Sequence, residues 1–256
     1  MTDATQFRWT SAALTHVGLV RANNEDACLD LPEQGLWAIA DGMGGHAFGE
    51  VASGMVINAL QRLTPLNSLT ARMTDATDTL QAVNQRLRVE ATACRVPIIG
   101  TTVLALLAWD RYCGYLWAGD SRLYHCRNGV MTQLTRDHSQ LEELKSLANF
   151  NAGDFLLLPS RNLITRAVGA AETLTLEYRT MQVNDGDLFL LCSDGLSNEV
   201  TEDDMRCALM AGDCQQASQA LLDLALNGGG RDNISLIVVR VDDIKDNDKT
   251  ILNPGL

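Results

Sequence analysis

Four apolar runs in this chain meet an aspartate at one end: LWAIA runs into Asp41, YLWAG into Asp120 and LFLLCS into Asp194, while Asp232 stands directly before NISLIVV. Runs of this length and composition read as buried strands. One aspartate at a strand edge is ordinary turn chemistry, and Asp-Gly at 41–42 and 194–195 are turn formers. Four of them constrain the fold much harder. Strand ends in packed sheets converge, and carboxylates crowded into a small volume repel one another unless cations or protons neutralise them.

The remaining β-type runs are SAALTHVG near the start, ACLDL at 27–31, TTVLALLAW at 101–109, RLYHC, VMTQLT and LTLEYRTM. Asn128-Gly129 joins RLYHCR to VMTQLT and tolerates the positive φ angles of a two-residue hairpin. Val51, Met55, Ala59 and Leu63 recur at helical spacing, as do Leu80, Val83, Leu87 and Ala91 after a cap at Thr74 or Asp75. Ala217, Leu221 and Leu224 mark a third helix, ended by the glycines 228–230. Strands and helices come in blocks, which predicts an α+β fold with largely antiparallel sheets.

The 256 residues carry no Pro-, Ser- or charge-rich linker, so one domain is expected over 1–241, with a polar acidic tail over 242–256. A net charge of −12 without a Lys/Arg cluster excludes a nucleic-acid partner. The absence of a long apolar run or a basic leader predicts neither membrane insertion nor secretion, and places the chain in the cytoplasm. Seven cysteines without a CxxC pair fit reduced thiols, and His16, His46, His125 and His138 lack metal-ligand spacing.

Oxygen ligands without histidine or cysteine select hard divalent ions, Mg²⁺ or Mn²⁺. Gly42 lets the backbone turn tightly beside Asp41 and places a carbonyl where it can ligate. In RANNED, Glu25 and Asp26 follow Arg21, whose planar fork matches phosphate oxygens. Screening confines distant charges to roughly 8 Å, so bound cations and Arg21 set the local sign rather than the net −12.

In chain order, R-x-x-N-E-D-A (21–27), A-D-G-M-G-G-H (40–46), G-T-T (100–102), A-G-D-S-R (118–122), L-T-x-D-H (134–138), N-L-I-T-R-A-V-G (162–169), C-S-D-G-L (192–196) and G-x-D-N-I-S (230–235) form a series. It resembles that of the bacterial type 2C metal-dependent (PPM) serine/threonine protein phosphatases. The resemblance implies a four-layer α-β-β-α sandwich, two central mainly antiparallel sheets flanked by helix pairs. It implies two Mg²⁺ or Mn²⁺ ions with a third beside them, and hydrolysis of phosphoserine and phosphothreonine by a metal-activated water. Asp41 would bridge the ions with the Gly42 carbonyl on one of them, and Asp194 and Asp232 would hold the other. Glu25 and Asp26 would act through water, Asp120 with Asp194 would hold the third ion, Arg21 would bind phosphate, and Asn233 would help order the shell.

Some members place a histidine directly after the Asp-Gly; here Met43 stands there, so a metal-bound water is the expected proton source. His46 is not promoted to that role. Ser139 to Arg161 corresponds to the family's mobile flap. The expected partners are phosphoproteins and a cognate Ser/Thr kinase, with the chain a stand-alone monomeric catalytic domain. General likeness points to the phosphatases paired with the kinase switch of type VI secretion. Two alternatives stand beside this reading: a catalytically silent phosphoprotein-binding module, and a GDS-type esterase using Ser121. The esterase lacks a catalytic histidine after His138.

Overall fold

A computed structural model describes residues 7–43, 48–145 and 163–244. The chain runs β1 (Phe7–His16), β2 (Asp26–Leu31), β3 (Leu36–Met43), α1 (Phe48–Leu60), α2 (Leu69–Cys94), β4 (Gly100–Thr101), β5 (Val103–Trp109), β6 (Tyr112–Ala118), β7 (Arg122–Arg127) and β8 (Val130–Gln133). It continues through α3 (Gln140–Lys145), β9 (Glu177–Gln182), β10 (Leu188–Cys192), α4 (Asp194–Ser197), α5 (Glu202–Leu209), α6 (Cys214–Gly228) and β11 (Ile234–Asp243). One sheet has the order β1-β11-β10-β7-β8 and the other β2-β3-β5-β6-β9, with β4 added to β3. All strand pairs are antiparallel.

Period-two alternation generates the layers. In β3, Leu36, Ala38 and Ala40 face α1 and α2, while Trp37 and Ile39 face the other sheet. In β11, Leu236 and Val238 face α5 and α6, while Ile237, Val239 and Val241 meet Trp37 and Ile39 between the sheets. Each central strand is therefore apolar on both faces, which is why these runs read as continuous rather than alternating. Three hydrophobic layers between four layers of elements make the expected sandwich.

Local chemistry sets the element ends. Asn128 and Gly129 take φ of 53° and 76°, the two positive values of the predicted hairpin. The α2 cap is Ser68, whose hydroxyl accepts from Ala71 N, rather than Thr74 or Asp75. The helix extends nearly two turns further back, and Met73 continues its buried stripe into that polar stretch. The run at 101–109 is not one strand: Thr102 separates β4 from β5. On α1 the buried face is Ala52, Val56, Ile57 and Leu60, offset from the predicted Val51-Met55-Ala59-Leu63 stripe. On α6 it includes Ala217, Leu221, Leu222 and Ala225, while Leu224 is exposed. Strand β11 passes Val241 to pair Asp243 with Phe7.

At the sandwich end where β10 begins, Asp187 is fully buried and holds the Arg127 fork, with Nε and Nη2 each at 2.7 Å. Burial pushes its carboxyl up, but Arg127 and His125 outweigh that and bring the pKa from 3.8 to about 2. The stabilisation is thus complete above about pH 4 and is lost as the pH falls through 2. Asp187→Ala strands the guanidinium and should cost about 3–5 kcal/mol in urea unfolding at pH 7, with the deficit shrinking towards pH 2. A deficit that is the same at pH 7 and pH 2 would contradict this assignment.

Candidate functional site

The antiparallel order brings the C-terminal ends of β3, β6 and β10 together with the starts of β2, β7 and β11. Those are the positions of the sequence-selected acids. Asp41 pairs in register with Asp26 across β3 and β2. Asp194 opens α4 directly after β10, Asp120 lies in the turn between β6 and β7, and Asp232 precedes β11. The Asp41 carboxyl is desolvated and feels the charges of Asp26, Asp194, Asp120 and Asp232, which together hold its pKa well above the usual carboxylate range.

The neighbours share the strain. Burial, then the nearby acids, raises Asp26 to about 7 against hydrogen bonds that lower it. Asp120 is raised to about 7 by burial and by Asp194, and Asp194 to about 6 by burial and by Asp232. Carboxylates held this way demand a positive charge. One buried oxygen, Asp120 Oδ1, has no hydrogen-bond partner among the described residues. As their side chains stand, no group of three or more His, Cys, Asp or Glu among the described residues is arranged to hold a metal ion. Asp232 Oδ2 is turned to Arg21 Nη2 at 2.7 Å, Asp194 Oδ2 accepts from Asn198 at 3.1 Å, and Asp26 Oδ2 accepts from Ser193 Oγ at 2.8 Å.

Hydroxyls that the sequence reading left without a role hold this cluster in place. Thr102 Oγ1 accepts from Asp41 N at 3.0 Å, and Asp41 O accepts from Thr102 N at 2.8 Å and Thr101 Oγ1 at 2.9 Å. The G-T-T motif thus fixes the Asp41 backbone from both sides. Ser193 Oγ also accepts from Ser235 N, joining β10 to β11 beneath Asp26. For three of the four strand-edge aspartates the available signal was a nearby hydroxyl residue, Ser193 before Asp194, Ser121 after Asp120 and Ser235 near Asp232; Asp41 has none beside it in the sequence.

Asn233 works on the loop that carries Arg21. Its Nδ2 donates to Val17 O and Asn23 O, and its Oδ1 accepts from Glu25 N. Gly42 is required sterically, since a Cβ there would lie 2.1 Å from Gly49 O and 2.7 Å from Glu25 O. Gly195 is required likewise, 1.9 Å from Asn233 O. Ser121 pairs with the Thr102 hydroxyl at 2.8 Å rather than with a histidine, so among the described residues no serine-esterase triad forms around it. His138 Nδ1 accepts from Gly119 N, and Nε2 lies 3.2 Å from Glu177. His46 and residues 146–161 of the expected flap lie outside the described residues.

The sequence profile of Protein phosphatase 2C matches residues 20–223. This chain belongs to that family. It is 38% identical over 244 residues to the serine/threonine protein phosphatase PstP of Mycobacterium tuberculosis, covering 91% of this chain and 45% of PstP, so it spans under half of that relative's length. The solved structure of PppA, a key regulatory component of T6SS in Pseudomonas aeruginosa, is 42% identical with a TM-score of 0.84, covering 91% of this chain and 97% of PppA. The PstP catalytic domain solved in complex with two manganese ions is 35% identical with a TM-score of 0.82, covering 93% and 100% of the two chains.

The threonine contacts to Asp41 can be tested directly. Thr102→Val keeps the side-chain shape but leaves Asp41 N and Ser121 Oγ short of a partner, and should cost about 1–3 kcal/mol in chemical denaturation. It should also weaken the thermal shift produced by Mn²⁺, because Asp41 is no longer held. An unchanged stability together with an unchanged shift would show that the threonine positions nothing.

Proposed function

We propose that this phosphatase 2C chain hydrolyses phosphoserine and phosphothreonine on proteins with the help of bound Mg²⁺ or Mn²⁺. The observation that carries the reading is the meeting of Asp41, Asp120, Asp194 and Asp232 with Asp26, with an unpartnered Asp120 oxygen among them. The donor set fits hard cations. Asp41 would be shared between two ions, with the Gly42 carbonyl on one and Asp194 and Asp232 on the other. Glu25 and Asp26 would act through water, and Asp120 with Asp194 would hold a third ion. Bound there, the ions supply charge neutralisation and a nucleophilic water near neutral pH.

The chain's own residues orient the phosphate. Contact with Asp232 uses one of the five donors of the Arg21 guanidinium. The rest of the fork can grip phosphoryl oxygens in a bidentate way. The Asn233 amide keeps the Arg21 loop against β11, so the guanidinium is positioned before substrate arrives. Met43 offers no proton to the leaving alkoxide, which leaves water as the source.

The wider assignment is that the chain opposes a bacterial Ser/Thr kinase in type VI secretion control, supported by its likeness to PppA. Seven free thiols support a reducing, cytoplasmic setting. Among the described residues no helix is long and apolar enough to cross a membrane. A phosphoproteome comparison with and without the protein tests the pathway.

Phosphate release from a phosphothreonine peptide should require Mn²⁺ or Mg²⁺ and stop with chelator. Asp41→Asn and Asp194→Asn should each lower kcat/KM on the order of 10³-fold or more, as expected when a metal ligand is lost. Arg21→Ala should raise KM about tenfold, the loss of a charged phosphate contact. Tight binding of the phosphopeptide without turnover in saturating Mn²⁺ would establish the silent-module reading instead.

A further inference from the structure

The Val51-Met55-Ala59-Leu63 stripe that the sequence assigns to the core is only partly covered. Val51 is 49% exposed, while Met55 and Ala59 sit half-buried at the core's edge. With Gly54 they floor an open groove of about 570 Å³ between α1 and α2. Helix α1 is therefore apolar on two faces, and the fold covers the second only in part.

Gly54 makes the groove more than a gap between helices. Glycine inside a helix is destabilising relative to alanine, and its use there calls for a reason. A Cβ at Gly54 would meet nothing within 4 Å, so no steric need among the described residues accounts for it. What its absence does is leave the floor bare where another chain can lie close. Asn58 and two arginines, Arg62 and Arg86, edge the groove. Neither arginine has an ion pair or a side-chain hydrogen bond among the described residues. Glu50 is the acid at the other end. On a chain of net charge −12, two unneutralised arginines beside an apolar floor select an acidic occupant.

At its Glu50 end the groove begins one residue after Gly49, which packs against the Glu25 side chain on the buried side of α1. From Glu50 to Ala59 it follows about 14 Å of α1, with Arg62 just past the helix end, the span of about four extended residues.

We infer that this groove docks an acidic amphipathic segment of the phosphoprotein substrate, away from its phosphorylated residue. The apolar floor takes the segment's hydrophobic side chains, and Arg62 and Arg86 take its carboxylates. The inference rests on the phosphatase reading above. It adds a recognition surface that a small phosphate ester does not touch.

The test compares phosphorylated casein, an acidic phosphoprotein, with p-nitrophenyl phosphate in saturating Mn²⁺. Gly54→Leu fills the groove, and the double variant Arg62→Glu/Arg86→Glu reverses its rim without touching the helix interior. Both should raise KM for casein about tenfold with kcat unchanged and leave p-nitrophenyl phosphate kinetics as in the wild type; Tm should not fall in either, and Gly54→Leu should raise it because a helix glycine is removed. Raised salt should reproduce the rim effect on wild-type protein. Casein kinetics unchanged in the double variant would overturn the docking groove while the phosphatase reading stands. A wild-type chain inert on both substrates would overturn both.

Discussion

Two like charges 4 Å apart repel by about 4 kcal/mol at the effective dielectric of a protein surface, and the Asp41 carboxyl feels four other acids. Left to themselves, side chains in that position swing apart or take up protons. The raised pKa values of Asp26, Asp120 and Asp194 are the second response, and the Arg21–Asp232 and Asn198–Asp194 contacts are the first. What stops the cluster from dispersing is backbone, not side chain. Asp41 is held at both its N–H and its carbonyl by Thr101 and Thr102, and Asp194 starts a helix whose preceding serine is bonded to β11. The fold stores a deficit of positive charge at one end, and that deficit is the basis of cation binding.

The sandwich is well suited to storing it. Alternation along β3 sends Trp37 and Ile39 between the sheets, and the next residue in that series is Asp41, where the apolar layer ends. The same layer is closed from the other sheet by Leu191 and Ile237, whose strands end on Asp194 and begin after Asp232. A buried apolar layer behind the carboxylates lowers the local dielectric and strengthens both their repulsion and their attraction for a cation. The apolar runs and their terminal aspartates are one device.

Much of this was legible because the strong signals were local and repeated. The strand-edge aspartates, the Asn128-Gly129 hairpin and the Leu80-Val83-Leu87-Ala91 stripe each announce themselves in a few residues, and each stands where the sequence places it. The errors arose where tertiary structure chose between local options. Helix α1 carries two apolar stripes, and the sequence cannot say which one β3 will cover. The start of α2 was hidden by polar residues that look like a cap but lie on its exposed side, while Ser68 does the capping. Thr101 and Thr102 looked like strand because β-branched residues favour strands; their hydroxyl contacts to Asp41 depend on a residue sixty positions away. Hydrogen bonds of that sequence separation have no one-dimensional signature.

Choice of metal is settled by what the site withholds as much as by what it offers. Two cysteines stand within two residues of site acids, Cys28 beside Asp26 and Cys192 beside Asp194. Burial pushes both thiols up to about 12, so they stay protonated at neutral pH and are not the thiolates that zinc takes. Among the described imidazoles, His138 spends Nδ1 on Gly119 N and faces Glu177 and Arg166 with Nε2, while its ring stacks on Trp117 at 5.8 Å, and His16 Nδ1 accepts from Gly18 N. Two thiols beside the site acids are thus protonated, and the acids gathered here offer carboxylate oxygens; an all-oxygen set of high negative charge favours Mg²⁺ and Mn²⁺ over the tighter-binding ions that nitrogen and sulfur would admit.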